Sequence, residues 1–280
     1  MGATLRAYSR SPEPGDLPLA QLPQDLRQGK VDIVLHLAWS VVPAEAELDP
    51  WGQWQVDLPQ LGDLLDVLSE RNSHGQNPVR LVFFSSGSVY GEGDSRLSSF
   101  DENCPRNPKG YYAKAKAAAE DMIMSHIRQG LKATILRITN PYGFPQEDGR
   151  LQGVIPALCH AALQRKTFTL WGDGSAIKDY VYFEDLCVAV KKVLGMQLTG
   201  VYNLSSGESI ALLDLVKMVQ EITGISLAVR HSPHQKWDVQ HGRYSSQKLR
   251  TAIGWVPSLS LREGLLRTWI DWGSKLGPSK

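Results

Sequence analysis

The sequence predicts an α/β protein with a doubly wound, Rossmann-like parallel sheet and a smaller α/β domain toward the C-terminus. Residues 31–38, 79–85 and 132–139 form three short segments rich in Val, Ile, Leu and Phe, as buried parallel strands are. Between them, residues 58–71 and 112–128 carry apolar side chains at helical spacing. Strands that alternate with helices of this length indicate βαβ units, from which a doubly wound sheet is built.

The sequence changes character after about residue 143, where shorter apolar runs alternate with turns such as Trp171-Gly172-Asp173-Gly174. A separate helix is predicted at residues 212–223. We therefore expect one Rossmann-like domain of residues 1–143 plus about 175–197, and a second domain from the remainder of residues 144–280. Ligands of doubly wound sheets bind at the carboxyl ends of the strands, so the residues after each strand are the candidate site.

The beginning of the sequence departs from this pattern. Residues 4–9 resemble a strand, and Arg10-Ser11-Pro12 follows, but no earlier strand and no GxGxxG turn precede them. We expect the domain to lack its first β-α unit and thus to be N-terminally truncated. Because a glycine-rich turn and a helix N-terminus hold the pyrophosphate of a dinucleotide, weak binding of such a ligand is also expected.

Composition narrows the class of protein. The 280 residues include 30 basic and 29 acidic side chains, a formal charge of +1, with no basic run that would favour nucleic acid as a partner. No apolar stretch approaches the roughly 20 residues that cross a bilayer, so no membrane association is expected. The three widely spaced cysteines, Cys104, Cys159 and Cys187, predict reduced thiols in a cytoplasmic protein and no metal site.

The sharpest chemical pattern joins a serine to a tyrosine and a lysine. Ser86 follows the second strand in Ser85-Ser86-Gly87-Ser88, and Tyr112 and Lys116 lie four residues apart on the next helix. This spacing places them on one helix face, about 6 Å apart at the backbone, where an ammonium favours the tyrosinate. A free tyrosine titrates near pH 10 and needs such help to act as a base. Ser86 would hydrogen-bond the same substrate oxygen.

A second pair, Tyr244 and Lys248, has the same spacing. No serine-bearing strand lies shortly before it, so we interpret these two residues as a surface pair without a chemical role. His36, on an apolar strand, is likewise interpreted as a packed core histidine.

With these residues the sequence resembles the extended short-chain dehydrogenase/reductases, and among them the UDP-glucose 4-epimerase-like branch of the NAD-dependent epimerase/dehydratase family. The resemblance covers nearly the whole chain, and its motifs occur in the family's order. Besides Ser86, Tyr112 and Lys116, they are Asp16-Leu17, His36-Leu37-Ala38, Asn140-Pro141-Tyr142-Gly143, Gln152-Gly153-Val154-Ile155, Trp171-Gly172-Asp173-Gly174 and Asp179-Tyr180-Val181-Tyr182 with Asp185.

The resemblance implies a nucleotide-sugar substrate, NAD or NADP as cofactor, and a homodimer packed through residues 58–71 and 112–128. The catalytic residues would be Ser86, Tyr112 and Lys116. The expected cofactor-binding residues are Arg10, Asp16, Leu17, Leu37, Ala38, Ser85, Tyr112 and Lys116. The expected substrate-binding residues are Ser86, Ser88, Asn140, Val154, Lys178 and Lys236. Arg10 could hold the 2′-phosphate of NADP, and no acidic residue stands there to favour NAD, so the choice stays open.

Three positions depart from the epimerase pattern. Lys178 stands where that branch has an arginine for the diphosphate, and a lysine supplies charge without a bidentate fork. Gln235 aligns with a second arginine, for which Lys236 could substitute, and Asp57 aligns with an asparagine. Gly87-Ser88 replaces the Asp-Glu of the 4,6-dehydratases, which disfavours that activity.

We therefore expect an NAD(P)-dependent epimerase of the 4-epimerase type, working on a nucleotide-sugar through a keto intermediate. A keto-sugar reductase that uses NADPH is the first alternative. A non-catalytic protein that binds sugar nucleotides is the second, because the glycine-rich turn is missing from the sequence.

Overall fold

The structure, a computed structural model, describes residues 4–74, 77–92, 99–144 and 152–275. Its strands are β1 (Tyr8–Ser9), β2 (Leu17–Pro18), β3 (Ile33–His36), β4 (Arg80–Ser86), β5 (Ala133–Ile138), β6 (Asn140–Tyr142), β7 (Phe168–Trp171), β8 (Ile177–Tyr182), β9 (Gly200–Leu204), β10 (Ser209–Ala211) and β11 (Val229–Ser232). The main sheet has four strands, all parallel, in the order β3-β4-β5-β9. The three predicted strands of this sheet are therefore confirmed: β3 and β5 are shorter than expected, and β4 has the expected length and begins one residue later.

The helices of the described residues are α1 (Leu22–Arg27), α2 (Pro43–Leu48), α3 (Gly52–His74), α4 (Gly110–Arg128), α5 (Val154–Leu163), α6 (Phe183–Gly195), α7 (Leu212–Thr223), α8 (Gln247–Ile253) and α9 (Leu261–Lys275). Leucines of α1 and α3 and the apolar residues of α4 pack on one face of the main sheet. Helices α6 and α8 cover the other face. Because helices cover both faces, the strands can be apolar on both sides, which confirms the doubly wound α/β class.

A second apolar core lies among the later elements. Helices α5, α7 and α9 bury leucines, Cys159 and Trp272 against the strands β7 and β8. Strand β8 pairs in parallel with β6 and antiparallel with β10, and β7 pairs in parallel with β11. The predicted helix at residues 212–223 is confirmed as α7. The division of the chain into two domains near residue 143 stays a prediction.

The N-terminal residues form a small parallel sheet of their own. Strand β1 is only two residues long, shorter than the expected strand of residues 4–9, and it pairs with β2. The Tyr8 hydroxyl donates a hydrogen bond to the buried Asp25 carboxylate at 2.8 Å, and Lys30 forms an ion pair with the same carboxylate. These contacts attach β1 to α1.

Helix α3 begins six residues before the predicted helix, at Gly52. The Asp49 carboxylate accepts a hydrogen bond from the Gly52 amide at 3.0 Å, and such a contact satisfies a free amide at a helix start. Pro59 lies inside the helix on its exposed side.

A buried ion pair connects α4 to the main sheet. Glu120 on α4 accepts hydrogen bonds from Arg137 on β5 at 2.7 to 3.2 Å and from the Ser85 hydroxyl on β4 at 2.6 Å. Glu120 and Arg137 are almost completely buried. Adjacent residues of a strand point to opposite sides, and the Ser85 hydroxyl faces Glu120. The contact of Ser85 with cofactor stays a prediction.

We predict that Glu120→Ala destabilises the fold by about 3–5 kcal/mol, because it leaves the Arg137 guanidinium buried without its partner. The neighbouring Asp121 is 66% exposed, and among the described residues its ion pair is with Arg106. Asp121→Ala should therefore cost no more than about 1 kcal/mol. Urea unfolding followed by circular dichroism measures both, and similar losses in the two variants would contradict a stabilising role for the buried pair.

Candidate active site

The end of β4 presents two serine hydroxyls. The chain turns there into a short 3₁₀ helix, Gly87–Tyr90, and the Ser86 hydroxyl oxygen accepts a hydrogen bond from the Ser88 amide at 3.1 Å. The Ser88 hydroxyl donates to the same oxygen at 2.9 Å. Ser86 is thus held at the carboxyl end of the sheet, where ligands of this fold bind.

Lys116 fastens helix α4 to the same strand end. Its ammonium donates a hydrogen bond to the carbonyl oxygen of Phe84 at 2.9 Å, and its side chain is only 3% exposed. The Trp39 ring centroid lies 3.8 Å from the ammonium, a cation–π contact. Tyr112 lies one helical turn earlier, with its ring centroid 5.8 Å from the ammonium. Tyr112 and Lys116 therefore lie near the strand end that carries Ser86, as the sequence predicts.

The electrostatics of this pair differ from the expectation. Burial lowers the pKa of Lys116 to about 7, although the negative charges of Asp57 and Glu120 act in the opposite direction. Burial raises the pKa of Tyr112 to about 12, and the negative charge of Asp57 raises it further. The expectation that Lys116 holds the tyrosine pKa below its ordinary value is wrong for this structure, because desolvation of both side chains dominates.

Asp57 is a further charged residue of the site. Its buried carboxylate accepts two hydrogen bonds from Ser40, from the amide at 3.0 Å and from the hydroxyl at 2.6 Å. Arg10 forms an ion pair with it at 3.8 Å. From the sequence, Arg10 could hold the 2′-phosphate of NADP. In the structure its guanidinium forms an ion pair with Asp57.

The loop after β3 was only partly predicted. Trp39 and Gln53 had no expected role, yet the Trp39 indole N–H donates to the Gln53 side-chain oxygen at 3.2 Å, which orients the ring over Lys116. The available signal was the position of Trp39, directly after His36-Leu37-Ala38 at the end of a strand. Its partner in α3 could not be recognised, because the contact joins residues of different elements.

Within the described part of the chain, the residues after β3 leave an open surface and unpaired polar atoms at the end of the sheet. Leu37 and Ala38 are exposed, so an apolar surface is open at the end of the sheet. Nδ1 of His36 and Nε2 of Gln53 are buried without a hydrogen-bond partner among the described residues, and burial lowers the pKa of His36 to about 4. Buried polar atoms of folded proteins are ordinarily hydrogen-bonded, so a partner for these two nitrogens is expected.

Two other expected cofactor residues lie on the small N-terminal sheet. The Asp16 carboxylate accepts a hydrogen bond from the Glu13 amide at 3.3 Å, and Leu17 pairs with Tyr8 in that sheet. Both residues are partly exposed and stay predicted contacts of the adenine end.

On the substrate side, Asn140 is exposed at the start of β6, and its amide donates to the carbonyl oxygen of Asp179 at 2.8 Å. Val154 is the first residue of α5.

Lys178 is 13% exposed, forms an ion pair with Asp238 and donates to the Val239 carbonyl oxygen at 2.6 Å. The structure therefore pairs the charge of Lys178 with a carboxylate. Lys236 is exposed on the segment that precedes Asp238.

The interpretation of Tyr244 and Lys248 as a surface pair is wrong for the tyrosine. Tyr244 is 8% exposed, and its ring packs against Tyr90 and Phe100 with centroids 5.9 and 5.8 Å away. Lys248 is exposed and donates to the carbonyl oxygen of Val201 at 2.7 Å. Tyr244 is buried because a backbone bridge to Phe100 draws its segment against the end of the sheet, a contact between distant parts of the chain.

Comparison with known proteins assigns the chain to a family. The model of the NAD dependent epimerase/dehydratase family matches residues 15–205, and the chain belongs to this family of enzymes. The UDP-glucose 4-epimerase of Corynebacterium glutamicum is 30% identical over 247 residues, which cover 83% of this chain and 73% of that protein. The GDP-6-deoxy-D-mannose reductase of Pseudomonas aeruginosa is 27% identical over 88% of this chain and 81% of that protein.

Solved structures are similar over most of the chain. The UDP-glucose 4-epimerase of Thermus thermophilus, crystallised in complex with NAD, superposes with a TM-score of 0.82 and 26% identity. The match covers 96% of this chain and 87% of that one. The named relatives differ in the reaction for which they are named, and solved structures of this fold hold NAD in the Thermus thermophilus epimerase and NADPH in the RMD protein of Pseudomonas aeruginosa. Separately, none of the helices in the described ranges is both long and apolar enough to span a membrane.

The depressed pKa of Lys116 predicts a pH dependence of stability. Between about pH 7 and its ordinary pKa of 10.5, the unfolded chain binds a proton at this lysine that the folded chain lacks. Folding stability from this group therefore rises with pH across that window, by up to about 1.4 kcal/mol per pH unit.

Lys116→Met should remove this rise, so that wild type gains stability relative to the variant as the pH increases from about 7 to about 9.5, a window inside the two pKa values of this lysine. Urea unfolding at several pH values in this window measures the difference. Lys114→Met, at an exposed position of the same helix, is the control and should run parallel to wild type. Parallel curves for Lys116→Met as well would show that burial does not depress the Lys116 pKa.

Proposed function

We propose that this protein is an NAD(P)-dependent epimerase of the 4-epimerase type that acts on a nucleotide-sugar through a keto intermediate. The observation that carries this proposal is the contact of Lys116 with the Phe84 carbonyl oxygen, which holds the Tyr112 helix turn at the end of the strand that bears Ser86. A base, its neighbouring cation and a hydroxyl group then face one substrate position. Similarity to named UDP-glucose 4-epimerases over most of the chain supports the same reaction.

In this proposal Tyr112 removes the proton from a sugar hydroxyl, and Ser86 hydrogen-bonds the oxygen that becomes the ketone. When bound, NAD(P) supplies the hydride acceptor and donor and, in its oxidised form, a positive charge beside Tyr112. That charge and a protonated Lys116 oppose the burial that raises the pKa of Tyr112 to about 12. The residues proposed to contact the cofactor are Leu37, Ala38, Tyr112 and Lys116, with Asp16 and Leu17 at the adenine end.

The nucleotide portion of the substrate is proposed to lie along Asn140, Val154, Lys178 and Lys236. Because Lys178 forms an ion pair with Asp238, the exposed Lys236 is freer than Lys178 to reach a diphosphate. Ser88 would support Ser86 through their hydrogen bond at 2.9 Å.

A reductase is the second candidate, and similarity to a GDP-6-deoxy-D-mannose reductase over 81% of that protein favours it. The same Tyr112 would then donate a proton to a keto-sugar oxygen, with NADPH as the external reductant. In a reductase that uses NADPH, Arg10 would bind the 2′-phosphate, and its guanidinium would have to leave Asp57 to do so.

We also propose a homodimer that packs through α3 and α4. Trp51 is 69% exposed, and Trp54 and Tyr111 are partly exposed at the N-terminal ends of these two helices. An exposed aromatic patch of this kind is a common feature of protein interfaces. The three free cysteines fit a reducing compartment, and we propose the cytoplasm.

The two reactions are separated by their products. The purified protein is incubated with NAD and UDP-glucose, and the product is followed by NMR; the proposal expects UDP-galactose without net change in NAD. Steady oxidation of NADPH with a GDP-4-keto-6-deoxy sugar would favour the reductase instead. Binding of either sugar nucleotide with no turnover would identify a non-catalytic binding protein.

We predict that Tyr112→Phe reduces turnover by a factor on the order of 10² or more, with little change in substrate affinity, because the variant keeps the ring and loses the proton acceptor. Tyr111→Phe is the matched control, since this tyrosine is exposed on the same helix and one residue away. Equal losses of kcat in the two variants would remove Tyr112 from the role of base.

A further inference from the structure

Helix α4, which carries Tyr112 and Lys116, begins without a cap of its own. Its N-cap residue is Lys109, whose ammonium group has hydrogen-bond donors and no acceptor and so cannot satisfy a backbone amide. The first turn, Gly110-Tyr111-Tyr112-Ala113, also contains no acidic residue that would stabilise the positive end of the helix dipole. The turn that carries Tyr112 therefore needs an acceptor from elsewhere in the chain.

Glu47, in the last turn of α2, supplies that acceptor. One of its carboxylate oxygens accepts a hydrogen bond from the Tyr111 amide at 2.7 Å. Its negative charge thus lies at the helix end where unpaired amides concentrate positive charge, which is a favourable arrangement. Because the two residues are 64 positions apart in the sequence, the fold creates this contact and no local turn does.

Gly110 makes room for the carboxylate. A Cβ atom added to Gly110 would lie 2.6 Å from the bonding oxygen of Glu47 and 2.7 Å from the Cβ atom of Trp237. The φ angle of Gly110 is +70°, which residues with a side chain rarely adopt. Trp237 is held in turn by Trp171, with ring centroids 5.6 Å apart. The start of α4 is therefore packed closely against Glu47 and Trp237, two residues before Tyr112.

We propose that Glu47 is a positioning residue, which holds the first turn of α4 so that Tyr112 and Ser86 face the same substrate position. The inference rests on the proposed function, because it concerns the base of that reaction. Lys116 fastens the second turn of the helix to β4, and Glu47 fastens the first turn to α2. These two contacts define the position of Tyr112 between them. Glu47 acts through the Tyr111 amide and does not need to touch the substrate.

Glu47→Ala tests this role, because it removes the acceptor from a partly exposed position and leaves no buried charge behind. Rates are measured with NAD and UDP-glucose, or with NADPH and a GDP-4-keto-6-deoxy sugar if the protein is a reductase. We expect kcat to fall by about 10-fold or more, since a small displacement of a reacting group costs that much. KM should change little, because the substrate contacts remain. Glu47→Gln keeps an oxygen acceptor and should restore most of kcat.

Hydrogen exchange of the Tyr111 amide, followed by NMR of isotope-labelled tyrosine, reads the contact without any substrate. Loss of the hydrogen bond in Glu47→Ala should accelerate exchange of this amide by about 10-fold. Glu45→Ala is the matched control, because this glutamate lies on the same helix and its carboxylate accepts a hydrogen bond from the Val42 amide at 3.3 Å. It should leave both the Tyr111 exchange rate and kcat near the wild-type values. Thermal unfolding checks that each variant is folded.

The inference is overturned if Glu47→Ala keeps the wild-type kcat, or if Glu45→Ala loses as much. It is also overturned if the Tyr111 amide exchanges at the same rate in wild type and in Glu47→Ala. A folded wild-type protein that turns over neither substrate would instead contradict the proposed function, and this inference with it.

Discussion

The site depends on one buried contact, the hydrogen bond from the Lys116 ammonium to the carbonyl oxygen of Phe84. It ties the first turns of α4 to the end of β4, and these two elements carry all three proposed catalytic residues. Trp39 closes over the ammonium and excludes water from it. The contact costs desolvation of a charge, and the cost is expressed as the lowered pKa of Lys116.

A second, fully buried pair supports this arrangement one turn further along α4. Glu120 and Arg137 connect the helix to β5, and the Ser85 hydroxyl joins them from β4. Two successive residues of β4 therefore serve different purposes. Ser85 faces the supporting ion pair, whereas Ser86 stands at the open end of the sheet. The alternation of side chains along a strand produces this division.

Much of the main sheet and the Tyr112-Lys116 pair could be predicted from sequence, because strand composition and helical spacing are local signals. Contacts between distant segments could not. In the sequence, Tyr244 has the same spacing to a lysine as Tyr112 and is interpreted as a surface residue. The backbone bridge to Phe100 makes it a buried neighbour of Gly87. The ion pair of Arg10 with Asp57 and the hydrogen bond of Trp39 with Gln53 likewise join separate elements. The predicted direction of the Tyr112 pKa shift is wrong because residue spacing reveals that a charge is near and does not reveal how far the side chain is desolvated.

The central claim, that burial beneath Trp39 and against β4 leaves Lys116 able to titrate near neutrality, is tested most directly by NMR of side-chain-labelled lysine. The resonance assigned to Lys116, identified by its absence in Lys116→Arg, should titrate near pH 7, where burial places the pKa of this group. A Lys116 resonance that titrates with the exposed lysines, near the ordinary value of about 10.5, would contradict the account.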